Sequence, residues 1–185
     1  PVVVANLDPT ATFTHLLDRA DLPDAFDRRV EAIDRRAAYF QMHFALNGLP
    51  EYVGPYDVLN RGDLRQNVTF FGTPEQMQVD FERCTRGLVP EAPSGNLAIS
   101  TLRDPELAPP GKHAASTFAF YAPIGADNDE RNRLRDQMAE RVVARIASVA
   151  PNFPDLIERQ ITYPAQAYER MFGCTGGDFT HGLLQ

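Results

Sequence analysis

The stretch 37–46 alternates strictly in side-chain character, and it constrains the fold more than any other part of the chain. One set of alternate positions is apolar: Phe40, Met42, Phe44 and Leu46. The other set is Tyr39, Gln41, His43 and Ala45. A two-residue period predicts a β-strand whose apolar face packs into the core.

The second face of this strand differs from an ordinary solvent-facing one, which would carry lysine, glutamate or threonine. It has an aromatic ring, an amide and an imidazole, which suit a mostly apolar pocket with two hydrogen-bonding groups. We therefore predict that Tyr39, Gln41 and His43 border a ligand cavity, together with Phe118 or Phe120 from a neighbouring strand. Burial of His43 against a helix, as a structural histidine, is the competing interpretation.

Further strands and helices are predicted along the chain, but they do not alternate as regular βαβ units. Short apolar runs predict strands at 68–71, 97–102, 114–121 and 157–163. Capping residues and helical spacing predict helices after Asp8, Pro23, Thr73, Asp127 and Pro164, and the segment 50–67 is predicted to be a loop. This order predicts an α+β fold with a mixed, mostly antiparallel sheet covered by helices.

Composition excludes several classes of function. A chain of 185 residues fits one domain, and its net charge of −7 gives it no general attraction to nucleic acid. No apolar run approaches the roughly 20 residues needed to span a bilayer. The two cysteines, Cys84 and Cys174, are far apart in sequence, which favours a reduced, cytoplasmic setting.

No catalytic motif is recognisable. The four histidines lack the spacing of a metal site, and no GxSxG elbow is present. The glycine-containing segments 125–127 and 176–178 do not lie between a strand and a helix as a phosphate-binding loop does. We therefore predict no metal site and assign no catalytic residue from the sequence.

Aromatic side chains are concentrated on the predicted strands. They are Tyr39, Phe40, Phe44, Phe70, Phe71, Phe118, Phe120 and Tyr121. One interpretation is an ordinary hydrophobic core. The other is an aromatic-lined cavity for a greasy ligand with few polar contacts.

Both ends of the chain predict that it is a middle piece of a larger protein. The β-branched run at 2–5 is typical of a buried strand, yet nothing precedes it that could pair with it. At the other end, a glycine-rich turn leads into an apolar stretch that stops at Gln185. We expect these two ends to lie close together, where both would join the missing part.

Several segments, taken in chain order, resemble one family. They are VVVANLDP at 2–9 with FTHLL at 13–17, DPELAPPGKH at 104–113, APNF at 150–153, and YP, ERMFG, GGD and HG within 163–182. The family is that of phytoene-desaturase-like FAD oxidoreductases. The branch is that of phytoene-dehydrogenase-related proteins, which includes the pyridine-nucleotide-disulfide oxidoreductase domain proteins.

The resemblance implies a substrate-binding domain at 8–175, flanked by ends of an FAD-binding domain at 1–7 and 176–185. It places Asn6, Gly176 and Gly177 near FAD, and His181 near the substrate beside the predicted strand face. The dinucleotide GxGxxG motif that opens such enzymes is absent from this sequence, as is the glycine-rich segment that completes the FAD site. The chain alone is therefore expected neither to bind FAD nor to be active.

Two functional hypotheses follow. The first is a fragment of an FAD-dependent oxidoreductase that acts on carbon–carbon bonds of a lipophilic, carotenoid- or isoprenoid-like substrate. Its partners would be that substrate and the FAD-binding domain of the same chain, without nucleic acid, and a peripheral membrane contact stays open. The second is a free-standing α+β ligand-binding or interaction module without catalysis.

Overall fold

The structure is a computed structural model, and it describes residues 2–182. Pro1 and residues 183–185, which belong to the predicted flanking segments, lie outside the described residues. The helices are α1 (Pro9–His15), α2 (Asp24–Glu31), α3 (Pro74–Thr85), α4 (Asn128–Ala147), α5 (Phe153–Leu156) and α6 (Ala165–Phe172). The strands are β1 (Ala37–Leu46), β2 (Asn67–Phe70), β3 (Ser94–Ile99), β4 (His113–Pro123) and β5 (Ile157–Tyr163).

The strands form one sheet in the order β2-β3-β4-β1-β5, and all its described pairings are antiparallel. This confirms the predicted α+β class. The bounds of β1 and β5 agree with the sequence predictions. Among the residues of the described range, no helix is long and apolar enough to cross a membrane.

The core lies between the sheet and α4. The apolar face of β1 is fully buried there, and Phe44 packs edge-to-face against Phe153 at 5.2 Å between ring centroids. Leu134, Met138 and Val142 on α4 complete this layer, since positions spaced by three or four residues share one helical face. The alternation in β1 therefore assigns its other face to the opposite side of the sheet.

The predicted strand at 97–102 is corrected in the structure, where β3 runs from Ser94 to Ile99 and a 3₁₀ turn follows. Ser94 and Gly95 resemble a turn in sequence, yet they pair with Phe120 and Ala119 of β4. A Cβ at Gly95 would lie 2.4 Å from the carbonyl oxygen of Phe118, so glycine permits a close approach of two strands.

The N-terminal strand prediction is also corrected. Residues 2–7 form no strand in the described structure, and Val2, Val3 and Val4 are about nine-tenths exposed. A β-branched run becomes a strand only when a neighbouring strand accepts its backbone hydrogen bonds.

The two predicted domain boundaries lie in contact. Asp8 is buried, and its Oδ2 accepts hydrogen bonds of 2.9 Å from both the backbone N–H and the hydroxyl of Thr175. Its Oδ1 caps α1 through the N–H of Ala11. Burial alone would raise the pKa of Asp8, but these hydrogen bonds outweigh it and hold the pKa below its usual value.

Candidate functional site

The face of the sheet opposite α4 carries the predicted ligand-binding residues. Gln41 lies opposite Phe118 on β4 and opposite Tyr163 on β5, so these three side chains share this face. One step along, His43 is flanked by Ser116 and Ile161. The predicted pocket residues of β1 and β4 are therefore neighbours on one surface.

Aromatic rings cover the end of this face where β1 begins. Tyr39 packs against Phe120 at 5.6 Å between ring centroids, and Phe120 packs against Phe71 at 5.6 Å. Phe179, which follows the glycines at 176–177, contacts Tyr39 at 4.9 Å and Phe118 at 5.6 Å. We call Tyr39, Gln41, Phe118, Phe120 and Phe179 the aromatic face.

Gln41 is the amide within the aromatic face, and it is held in place. The hydroxyl of Tyr168 on α6 donates a hydrogen bond to Oε1 of Gln41. The Tyr168 ring also packs against Phe179, at 5.6 Å. Burial raises the pKa of both Tyr168 and Tyr39, so both phenols are neutral at physiological pH.

His43 lies at the rim of the aromatic face and is exposed. Its ring meets Tyr163 edge-to-face, with centroids 5.4 Å apart. The competing interpretation, burial of His43 against a helix, is therefore wrong. Its imidazole is accessible from the open side of the sheet.

The residues linked by resemblance to the cofactor and substrate lie in the terminal segments. Asn6 is exposed, and Gly176 donates its N–H to Glu169 on α6 at 3.2 Å. A Cβ at Gly177 would fall 1.8 Å from the carbonyl oxygen of Ala165, so this glycine lets the segment press against α6. His181 is exposed and has a positive φ of 68°. The binding roles of these four residues stay predictions.

Buried Asp178 organises the segment that delivers Phe179 to the face. Its Oδ1 accepts from the N–H and hydroxyl of Thr180, and its Oδ2 accepts from the N–H of Gly182 at 2.9 Å. An aspartate that binds backbone groups a few residues ahead closes a compact turn. Both oxygens of the Asp178 carboxylate thus accept hydrogen bonds within the turn, and the carboxylate does not point into the site.

A cavity of about 450 Å³ opens at the edge of the aromatic face. Tyr39 and Tyr121 form its sheet side, and Met77 and Phe81 of α3 form the opposite wall. The remaining lining residues are Pro74, Gln78, Thr180 and Gly182. Its size falls within the range of small-molecule sites, and no charged residue lines it among those described. A neutral, largely apolar ligand suits such a cavity.

A larger cavity, of about 720 Å³, lies between α4 and β5 on the other side of the sheet. Asp136 and Glu140 line it, together with aliphatic residues such as Val143. It is therefore remote from the aromatic face. Within residues 2–182, no group of three or more histidine, cysteine, aspartate or glutamate side chains is placed to hold a metal ion.

Sequence reasoning missed Phe179, Tyr163 and Tyr168 as members or supports of the site. Tyr163 could have been found, because it shares the period of β5 with exposed Ile161. Phe179 carries no such signal, since it reaches the face only through the turn closed by Asp178.

Comparison with known proteins finds several relatives, among them two from mammals. The chain is 29% identical over 192 residues to "Pyridine nucleotide-disulfide oxidoreductase domain-containing protein 2" of Rattus norvegicus, and 27% identical over 190 residues to the protein of the same name from Mus musculus. Each match covers 99% of this chain and 32% of the relative, so the chain spans about a third of their length. No family model matches the chain. The similarity relates the chain to a part of oxidoreductase domain proteins.

Proposed function

We propose that residues 8–175 form the substrate-binding domain of an FAD-dependent oxidoreductase acting on carbon–carbon bonds of a lipophilic, carotenoid- or isoprenoid-like substrate. The aromatic face is the observation that carries this proposal. Its rings contact one another across β1, β4 and the segment after Gly177, with Gln41 as the amide among them. Such a surface gives an apolar molecule a large contact area and requires few hydrogen bonds from it.

In this proposal the chain binds and orients the substrate and does not carry out the redox step. The rings of Tyr39, Phe118 and Phe120 hold the apolar body of the substrate. The Nε2 group of Gln41 and the imidazole of His43 supply the hydrogen bonds that fix its position. A bound flavin would supply the redox chemistry, and the protein would place the substrate against it.

In this proposal, residues outside this chain supply the flavin cradle. Gly177 packs closely against the backbone of Ala165. The carboxylate of Asp178 accepts hydrogen bonds from its own turn, including one from the N–H of Gly182. A dinucleotide site needs backbone N–H groups at a helix N-terminus to receive the pyrophosphate. The proposal therefore includes an FAD-binding domain outside this chain, joined to it through 1–7 and 176–185. The contact between Asp8 and Thr175 supports this arrangement, because it brings both connections to one place.

One experiment on the longer protein and one on this chain test the cofactor assignment together. The longer protein, which includes residues on both sides of this chain, should purify with the visible absorption of a bound flavin. A titration of FAD into the 185-residue chain should give no tight complex. A colourless longer protein, or a tight one-to-one complex of this chain with FAD, would contradict the proposal.

Variants of the longer protein test the substrate role. His43→Phe keeps the ring packing against Tyr163 but removes the hydrogen-bonding groups, so KM or kcat should change while flavin content and Tm stay nearly constant. The control is His15→Phe, since His15 is also exposed but lies on α1 away from the face. Equal kinetics for His43→Phe and His15→Phe would remove His43 from the site.

A further inference from the structure

A separate cavity, of about 350 Å³, lies where α4, α6 and the end of β5 meet, on the α4 side of the sheet. Three arginines line it: Arg131, Arg135 and Arg170. Asn132 and Gln166 add side-chain amides, and no described aspartate or glutamate lines the cavity. The chain as a whole has a net charge of −7, so three arginines around one cavity are a local concentration of positive charge.

The arrangement follows from helical spacing on two elements. Arg131 and Arg135 are four residues apart and share one face of α4, with Asn132 beside them. Gln166 and Arg170 are likewise four residues apart on α6. Each helix therefore turns its cationic face toward the same cavity. Like charges that converge in this way repel one another unless an anion lies between them.

Much of this charge is free of protein partners. Arg131 donates from Nε to the carbonyl oxygen of Gly125 at 2.9 Å, and within residues 2–182 its terminal nitrogens have no further hydrogen bond. Arg170 has no described hydrogen bond or ion pair. Arg135 is different, since Asp136 lies 2.8 Å from its guanidinium. The cavity thus retains about two uncompensated positive charges.

We propose that this cavity binds the phosphate or diphosphate group of a small molecule. A phosphate monoester carries a charge of about −1.5 to −2 at pH 7, which matches the two uncompensated positive charges of the cavity. A single carboxylate would neutralise only one of the two guanidinium groups. Guanidinium groups bind phosphate oxygens in a two-pronged geometry. Pro164, the N-cap of α6, lines the cavity, and no side chain caps this helix N-terminus, whose partial charge is positive. The proposal does not depend on the oxidoreductase assignment.

The test is a calorimetric titration of the 185-residue chain with inorganic pyrophosphate, with sodium acetate as the monocarboxylate comparison. Pyrophosphate should bind saturably with one site, and acetate should not. Arg170→Gln should weaken pyrophosphate binding about tenfold or more, because a charge-assisted hydrogen bond is lost. Arg170→Lys keeps the positive charge but loses the two-pronged hydrogen bonding of the guanidinium. Its pyrophosphate affinity should therefore lie between those of the parent chain and Arg170→Gln. A companion variant, Arg131→Gln, tests the α4 side, with unfolding curves to check that it folds.

The matched control is Arg141→Gln, which removes the same charge from an exposed position of α4 that does not line the cavity. It should change the affinity less than about twofold, as expected for a screened surface charge. Co-sedimentation with phosphatidic acid vesicles, compared with phosphatidylcholine vesicles, tests whether the phosphate belongs to a lipid headgroup. Binding to the phosphatidic acid vesicles alone, with competition by pyrophosphate, would identify a lipid headgroup as the source. The proposal is overturned if neither pyrophosphate nor the acidic vesicles bind saturably, or if Arg141→Gln weakens binding as much as Arg170→Gln.

Discussion

Tyr168 and Gln41 are joined by a hydrogen bond although they lie 127 residues apart along the chain. The bond connects α6 to the middle of β1 and orients the amide within the aromatic face. It also fixes which groups of Gln41 stay available, since Oε1 is engaged and Nε2 has no described partner. The geometry of the face therefore depends on α6 as well as on the sheet.

This bond predicts non-additive stability effects. Tyr168→Phe and Gln41→Leu should each lower the free energy of unfolding by about 1 kcal/mol, because each leaves a half-buried polar group without its partner. The double variant should lose about 1 kcal/mol less than the sum, since no unpaired group is left. Urea unfolding of the four proteins measures this coupling, and strictly additive losses would show that the bond does not form in solution.

The buried carboxylate of Asp8 predicts a specific pH dependence. Its pKa is lowered in the folded state, so the stability it contributes is fully present above pH about 4, near the pKa of an unfolded aspartate. That contribution is lost as the pH falls through the lowered folded-state pKa. Asp8→Asn should be less stable by about 1–3 kcal/mol at pH 7 and should lose less additional stability on acidification.

Urea midpoints measured from pH 7 down to pH 2.5 check this prediction for Asp8. The control is Asp127→Asn, because Asp127 caps α4 from an exposed position and asparagine caps a helix equally well. An Asp8→Asn curve that falls with acid as steeply as the parent curve would contradict the assignment.

The contact of Gly177 with α6 predicts a large loss of stability for Gly177→Ala. The new Cβ would lie 1.8 Å from the carbonyl oxygen of Ala165, and the positive φ of 70° adds backbone strain. Gly111→Ala is the matched control, since Gly111 has a φ of 78° but open space around its Cβ position. The control should cost about 1–2 kcal/mol and Gly177→Ala clearly more, as measured by chemical unfolding. Equal losses would show that the close contact is absent.

The sequence predicted the sheet better than it predicted the site. The period of two in β1 and the capping signals at Asp8, Thr73 and Asp127 act locally, so they are visible without tertiary structure. The strand boundary at Ser94 was missed because its pairing with β4 outweighs a local turn preference.

The aromatic face could be predicted only in part. Tyr39, Gln41, Phe118 and Phe120 lie on strands, where alternation assigns them to a face. Phe179 depends on a turn held by the buried carboxylate of Asp178, and sequence alone does not reveal where such a turn directs the chain. The partnership of Tyr168 with Gln41 is equally non-local.

The most direct test of the central claim is binding of an isoprenoid polyene to the aromatic face. All-trans-retinol, whose fluorescence rises in an apolar environment, can be titrated into the parent chain, Phe118→Ala and the control Tyr56→Ala. Tyr56 is an exposed aromatic residue outside the sheet. Phe118→Ala should weaken retinol binding about tenfold through lost apolar contact area, with unfolding curves close to those of the parent, while Tyr56→Ala should bind like the parent. Retinol affinity that is the same for all three proteins would contradict the assignment of this face as the substrate site.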